Sequence, residues 1–328
     1  MRNFQKRRQI LFSFSAAALS AIWPEFASAA DYPNRPIRLI CHVAPGGAPD
    51  IAARALAFEL SQTLGQQVIV ENHAGANGNL AGDIVAKAPP DGYTLLLGTD
   101  STIVINPHVY SKMPFDPLVD LVPVAPLASN DFVLSVNAKL PVKTLADFVA
   151  LAKKSDPPLF YASGGNGSQH HLTMEMLRQA AGINLKHVPY KGGAQATLAT
   201  IAGEVSAMFA GSSTAAQIKA GNLRAIATTG AKRSAIFPDV PTIAETYPGF
   251  QNSIWLGVFA PKGLPPEIMQ RLRAEIAKAQ QRPSLNDRFN AGGGMEPYVG
   301  NPQEFAERIR REYVKFGKLV KQIGLRLD

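Results

Sequence analysis

Cysteine is almost missing from this chain. Cys41 is the only one in 328 residues, which excludes an intramolecular disulfide framework and any zinc knuckle built on paired cysteines. Long apolar runs are equally scarce. Beyond the first 30 residues no stretch stays apolar for the ~20 residues a membrane helix needs. Neither a Gly-x-Ser-x-Gly elbow nor a Gly-x-x-x-x-Gly-Lys-Ser/Thr loop occurs, so the common nucleophile and phosphate-loop signatures are absent. Gly165-Asn166-Gly167-Ser168-Gln169-His170 begins like a dinucleotide fingerprint, but His170 stands where its third glycine belongs. The six histidines include the neighbours His170 and His171, which point about 100° apart on a helix and do not chelate one metal as an i, i+4 pair would. No cofactor and no metal are expected.

What is present reads as a folded, exported protein. Hydrophobic residues make up 46% and charged residues 18%, which excludes a disordered chain. Arg2, Lys6, Arg7 and Arg8 precede an apolar run over 10–23 and the small-residue pattern Ala27-Ser28-Ala29. Residues 1–30 therefore form an expected export signal cleaved near Ala29 or Ala30, with Arg7-Arg8 resembling a twin-arginine motif. The expected destination is the periplasm. The formal charge of +8 then shrinks, because the signal carries four basic residues and Glu25, leaving 29 basic against 24 acidic. Six further Lys and Arg fall between Arg308 and Lys321 on one amphipathic helix. No basic cluster interleaved with aromatics remains, so nucleic acid is not an expected partner.

After residue 30, short β-branched runs alternate with helical periodicity, which predicts α/β architecture with parallel strands. Strands are expected at 37–43, 68–71, 93–98, 159–163, 205–210, 223–229 and 253–261. Helices are expected at 50–64, 80–88, from Thr144 with Asp147 completing its cap, 169–181, 265–281 and 302–323. Two segments look like crossings between lobes: 122–136, two extended runs parted by Ser129-Asn130-Asp131, and the Pro- and Gly-rich 237–253. The expected organisation is one lobe from 31–129 and 251–328, a second from 130–250 inserted into it, and a cleft between them. Trp255 is expected beside the hinge or the cleft.

Gly-rich entries to helices are anion sites, because unpaired N–H groups and the positive end of the helix dipole face the ligand. One such loop per lobe stands out. The first is Ala44-Pro45-Gly46-Gly47-Ala48-Pro49-Asp50, directly after a strand, with Asp50 as helix cap or acceptor from a ligand. The second is Ser163-Gly164-Gly165-Asn166-Gly167-Ser168, whose glycines and polar side chains could nest a carboxylate. Gly75-Ala76-Asn77-Gly78 and Gly192-Gly193 are lesser examples. His171 is expected as a hydrogen-bonder in the cleft or just behind its contact residues, and His170 at the surface. His42, His73, His108 and His187 are expected to be structural, and Cys41 an inert core thiol.

A series of motifs in order resembles the receptors of the tripartite tricarboxylate transporter family, the periplasmic binding proteins called Bug. They include APGGAPDIAAR, GQQVIVENHAGANGNLAG, APPDGYTLLLGTD, INPHVY, YASGGNGSQHHL, HVPYKGGAQA, KAGNLRAIATTGAKRS and FPDVPTIAE, spread over essentially the whole chain after the signal. The resemblance implies a two-lobed periplasmic-binding-protein (Venus flytrap) fold with two interdomain crossings, closing on a small organic mono- or dicarboxylate. It implies ligand-binding residues Gly46, Gly47, Ala48, Pro49 and Asp50 in one pincer loop. The other loop would supply Ser163, Gly164, Gly165, Asn166, Gly167 and Ser168, with Thr99, Asp100 and His171 as further cleft positions. Membrane permease subunits would be the partner of a monomeric receptor. Where the family commonly has Pro-Phe ahead of the first loop this chain has His42-Val43. Where it often has an acidic residue or Asn and then Pro after Met208-Phe209, Ala210-Gly211-Ser212-Ser213-Thr214 follow. Two other readings compete: a receptor that loads a sensor protein, and a periplasmic enzyme using His171 and Asp100.

Overall fold

The computed structural model describes residues 32–211, 214–234, 236–291 and 295–327, so the expected export signal at 1–30 and the divergent Ser212-Ser213 lie outside the described residues. In chain order, β1 (Ile37–Cys41), α1 (Ala48–Leu64), β2 (Val68–Asn72), α2 (Asn79–Ala86), β3 (Thr94–Thr99), α3 (Asn106–Val109) and β4 (Leu121–Asp131) begin the first lobe. The second lobe holds β5 (Val133–Asn137), α4 (Leu145–Lys154), β6 (Leu159–Ser163), α5 (Gln169–Ala181), β7 (Leu185–Pro189), α6 (Gly193–Ala202), β8 (Ala207–Ala210), α7 (Ala215–Lys219) and β9 (Leu223–Thr228). The chain then returns to the first lobe with β10 (Ser253–Pro261), α8 (Pro266–Gln280), α9 (Pro283–Ala291), β11 (Glu296–Pro297) and α10 (Pro302–Ile323).

Two sheets result, ordered β11-β4-β10-β3-β1-β2 and β7-β6-β8-β5-β9. β1 runs parallel to β2 and β3, while β10 pairs antiparallel with β3 and β4. In the second sheet β6 is parallel to β7 and β8, and β5 is antiparallel to β8 and β9. Thr-Leu-Leu-Leu-Gly-Thr of β3 is buried at every position, as a central strand covered on both faces must be. Local chemistry sets the helix ends. Thr144 and Asp147 form a reciprocal cap on α4, Ser168 caps α5 and Gly182 closes it in the left-handed conformation.

Each lobe has its own core. Phe132, Phe148, Tyr161 and Phe209 centre one; Trp255, Phe259, Phe305 and Phe316 centre the other. Trp255 is fully buried in that second cluster, edge-on to Phe305 at 5.0 Å, with its Nε1–H donating to Glu312 of α10 at 2.6 Å. It is a core residue rather than a cleft residue.

The crossings differ from expectation in one respect. β4 runs straight through Ser129-Asn130-Asp131, and Phe132 alone separates it from β5. Antiparallel pairing with β10 holds those polar residues in the strand, through the pairs Trp255 with Ser129 and Ser253 with Asp131. The second crossing spans 229–252 and is bonded to the first. Phe132 N–H donates to Thr229 Oγ1 at 2.8 Å, Thr229 N–H to the Phe132 carbonyl at 2.9 Å, and Asn252 N–H to the Thr229 carbonyl at 3.1 Å.

Candidate ligand-binding site

The first loop leaves β1 and enters α1 with Gly47 as its cap, extended at φ −71° and without a side-chain hydrogen bond. Asp50 does not cap the helix. It is buried beneath the loop, where Oδ2 accepts from Gly46 N–H at 2.9 Å and from Arg54 Nε at 3.1 Å, and Oδ1 accepts from Asn72 Nδ2 at 2.8 Å. Burial pushes this carboxyl up, yet Arg54, the Gly46 N–H and Asn72 outweigh it and hold the group below its ordinary range. Gly47 N–H turns inward as well, to the Ala44 carbonyl. Pro49 has no N–H, so Ala48 and Asp50 supply the donors left at this helix start. The Asp50–Arg54 pair has i, i+4 spacing on α1, whereas the Asn72 anchor comes from a strand 22 residues away.

The second loop is braced from behind. Ser163 is fully buried, and its Oγ donates to the Gly165 carbonyl, accepts from Gly165 N–H and meets His187 Nε2 at 2.6 Å. Gly165 sits at φ +130°, a conformation that a side chain would strain. Gly167 N–H donates to His171 Nδ1 at 3.2 Å, and Ser168 bonds back to Gly165. His171, His187 and Tyr161 form a column beneath the loop, the two imidazoles parallel at 3.8 Å and His187 stacked on Tyr161 at 4.9 Å. Tyr161 OH donates to Glu175, which also binds Arg178. Burial lowers both imidazoles to about 4, with Arg178 adding to the effect, so they are neutral near pH 7. The bonds within the chain leave the N–H groups of Gly164, Asn166, Gln169 and His170 as the open donors among the described residues of this loop and its helix start.

Thr99 ends β3, one strand over from the first loop, and faces Thr102 at 3.5 Å. Asp100 follows it, 1% exposed, accepting from Ser101 N–H at 2.7 Å. Burial and the nearby Glu312 push its carboxyl up to about 8, against the opposing pull of Ser101, Arg308 and Gln169. Gln169, which the sequence reading passed over, reaches Asp100 from the other lobe. It lies close enough to favour the carboxylate, yet Gln169 Nε2 and Asp100 Oδ2 both lack a partner of proper hydrogen-bond geometry. Gln169 Oε1 accepts from Asn252 Nδ2 at 3.1 Å, and Asn252 also bonds Thr173 of α5 and Lys315 of α10. A buried amide chain thus ties both lobes to the second crossing.

His170 is not at the surface. Its ring is half-buried, edge-on to Phe132 at 5.2 Å, and faces Gly164 and Gly193, because the first crossing covers the helix face that was expected to meet solvent. The structure therefore gathers Gly164, His170 and Gly193 into one patch; Asp50, Ser163 and His171 are buried and bonded to their own loops, and Asp100 is buried beside Gln169. Cys41 is fully buried, its thiol pushed up by burial. Among the described residues no group of three or more His, Cys, Asp or Glu could hold a metal ion, and no helix is long and apolar enough to cross a membrane.

Residues 52–325 match the family described as the tripartite tricarboxylate transporter family receptor. BugT of Bordetella pertussis is 37% identical to this chain over 303 residues, covering 92% of this chain and 93% of that protein. Among solved structures, an R. palustris protein with adipate superposes with a TM-score of 0.79 at 33% identity, covering 90% of this chain and 99% of the other. MatC from Rhodopseudomonas palustris with bound malate gives 0.75 at 29% identity, covering 88% and 100%. The family match spans most of the chain and the relative's match covers 92% of it, and they fix the kinship: this chain belongs to the tripartite tricarboxylate transporter receptor family.

Proposed function

We propose that the protein is an exported solute receptor that binds a small organic mono- or dicarboxylate between its two Gly-rich loops and presents it to the membrane permease subunits of a tripartite transporter. Residues 1–30 serve as its export signal, and lobes of 31–129 with 251–328 and of 130–250 close on the ligand. One observation carries the reading: two strand-to-helix loops, one per lobe, keep unpaired N–H groups at helix starts while their side chains are spent on bracing them. Each N–H given to a charged oxygen contributes ~1.5–3 kcal/mol, so four or so donors reach the roughly −8 kcal/mol of micromolar binding without a lysine or arginine. The adipate and malate seen in two relatives are ligands of this class. Asp100 and His171, the pair an enzyme would have used, are buried supports, which favours binding over turnover.

The test is calorimetric titration with adipate, malate, succinate and their monocarboxylate analogues. Saturable one-to-one binding is expected for at least one of them, with no product formed. Gly165→Val, forced into a conformation that side chains avoid, should abolish it, as should Gly47→Val, whose added carbon lies 3.2 Å from Val43. Failure of the whole panel, or full affinity in both variants, would overturn the assignment.

A further inference from the structure

Where the two crossings run side by side, a cavity of 460 Å³ opens between the lobes. Both crossings contribute to its wall, with Asp131 and Phe132 from the first and Phe237 and Gln251 from the second, while Thr228 stands just before the second and Glu296 and Arg308 close it from the first lobe. Neither Gly-rich loop lines it.

Asp131 is the enclosed acid of this cavity. Burial and the neighbouring Glu296 push its carboxyl up to about 6, against the pull of Arg308. Among the described residues its carboxylate has neither a hydrogen bond nor an ion pair. Oδ2 reaches across to the second crossing, where a carbon added at Gly230 would fall 2.1 Å from it. Beside it Thr228 is 1% exposed, and its Oγ1 also lacks a partner. The cations nearby are already engaged. Arg308 holds Glu312 and Ser253, and Arg233 forks onto Glu245. Lys232 stays at the exposed rim.

An unpaired, half-buried carboxylate is costly, and what it lacks is a cation with several donors. A metal ion fits poorly, since no group of three or more metal-ligating side chains exists among the described residues and the Arg308 guanidinium shares the wall. An ammonium group fits well: its three N–H donors match Asp131, Glu296 and the idle Thr228 hydroxyl. Phe132, Val133, Ile236 and Phe237 supply apolar wall for a short hydrocarbon body. We propose that this hinge cavity binds a small aliphatic primary amine, with its ammonium group between Asp131 and Glu296. Its wall comes from both lobes, so occupancy biases the angle between them. The site is separate from the carboxylate loops and does not depend on their function.

Calorimetric titration with n-butylamine, with butyrate as the anion of similar size, tests the site in the full chain. Saturable one-to-one binding of butylamine is expected in the wild type. Asp131→Asn should weaken it about tenfold or more. Gly230→Ala, whose methyl displaces the Asp131 carboxylate, should do the same; circular dichroism checks its fold, and Asp131→Asn alone decides if it is unfolded. Gly165→Val, in the second loop, should keep butylamine affinity even though it loses carboxylates. No saturable butylamine binding at millimolar concentration, equal affinity in wild type and Asp131→Asn, or equal binding of butyrate in Gly165→Val would each overturn the proposal. Failure to bind carboxylates while butylamine still binds would overturn the receptor reading and leave this site standing.

Discussion

Replacing Asp100 by Asn should stabilise the protein relative to wild type by a margin that widens as pH rises. The ordinary carboxyl value is 3.8 and burial lifts the native value to about 8. Between those values the unfolded chain has released this proton and the native protein still holds it. The native state binds more protons, so wild-type stability falls as pH rises through the window. Each unit is worth 1.36 kcal/mol, so between about pH 5 and about pH 7.5 this one group removes about 3 kcal/mol. Asn carries no such cost and keeps an oxygen for the Ser101 N–H. Urea unfolding followed by circular dichroism at both pH values gives the two margins, and their difference cancels every other titrating group. A margin that stays constant, or narrows with pH, would mean that Asp100 is ionised in the native protein and that its burial beside Gln169 is misplaced.

His187→Gln should show the opposite pH signature. The native imidazoles of His171 and His187 sit near 4, below their ordinary 6.5, so acid favours the unfolded chain through that window. Wild type should lose on the order of 1 kcal/mol per pH unit per ring on acidification, and the variant should lose visibly less in the same urea assay. Asn252→Ala strips Gln169, Thr173 and Lys315 of a shared partner and should cost about 2–3 kcal/mol of unfolding free energy; a change near zero would show that water replaces the amide. Deleting residues 325–328 removes Leu327, whose N–H reaches the Val109 carbonyl and whose side chain lies against Gly167. Carboxylate affinity should drop several-fold with little change in melting temperature, and unchanged affinity would show that the tail does not steady the second loop.

Much of the fold was legible because its signals are local. The cap at Thr144 and Asp147, the stop at Gly182 and the apolar run of β3 appear within a few residues of the predicted bounds. Both Gly-rich loops were legible for the same reason. What the sequence hid was the direction each polar group takes. Asp50 reads as a cap but turns under its loop because Asn72 and Arg54 wait there. His170 reads as solvent-facing but meets Phe132, 38 positions earlier in the chain. Gln169 gave no signal at all, since its neighbours Asp100 and Asn252 come from the other lobe and from the crossing. The turn at Ser101–Ile105, wound more widely than an α-helix, and the short α3 and α7 were missed because segments of a few residues carry too little periodicity, while the ten-residue α6, rich in Ala and Thr, has only a weak apolar face.

Thr229 stitches the two crossings together, giving and receiving bonds at Phe132 and accepting one from Asn252. The lobes therefore do not hang on two independent threads. They are joined by one short bonded ribbon, and sliding one crossing past the other would part those bonds. A receptor built this way has surrendered most of its orientational freedom before a ligand arrives, so closing costs little entropy and more of the contact energy appears as affinity. Two such proteins could line their clefts with identical atoms and still differ in how tightly they bind, through this single stitch.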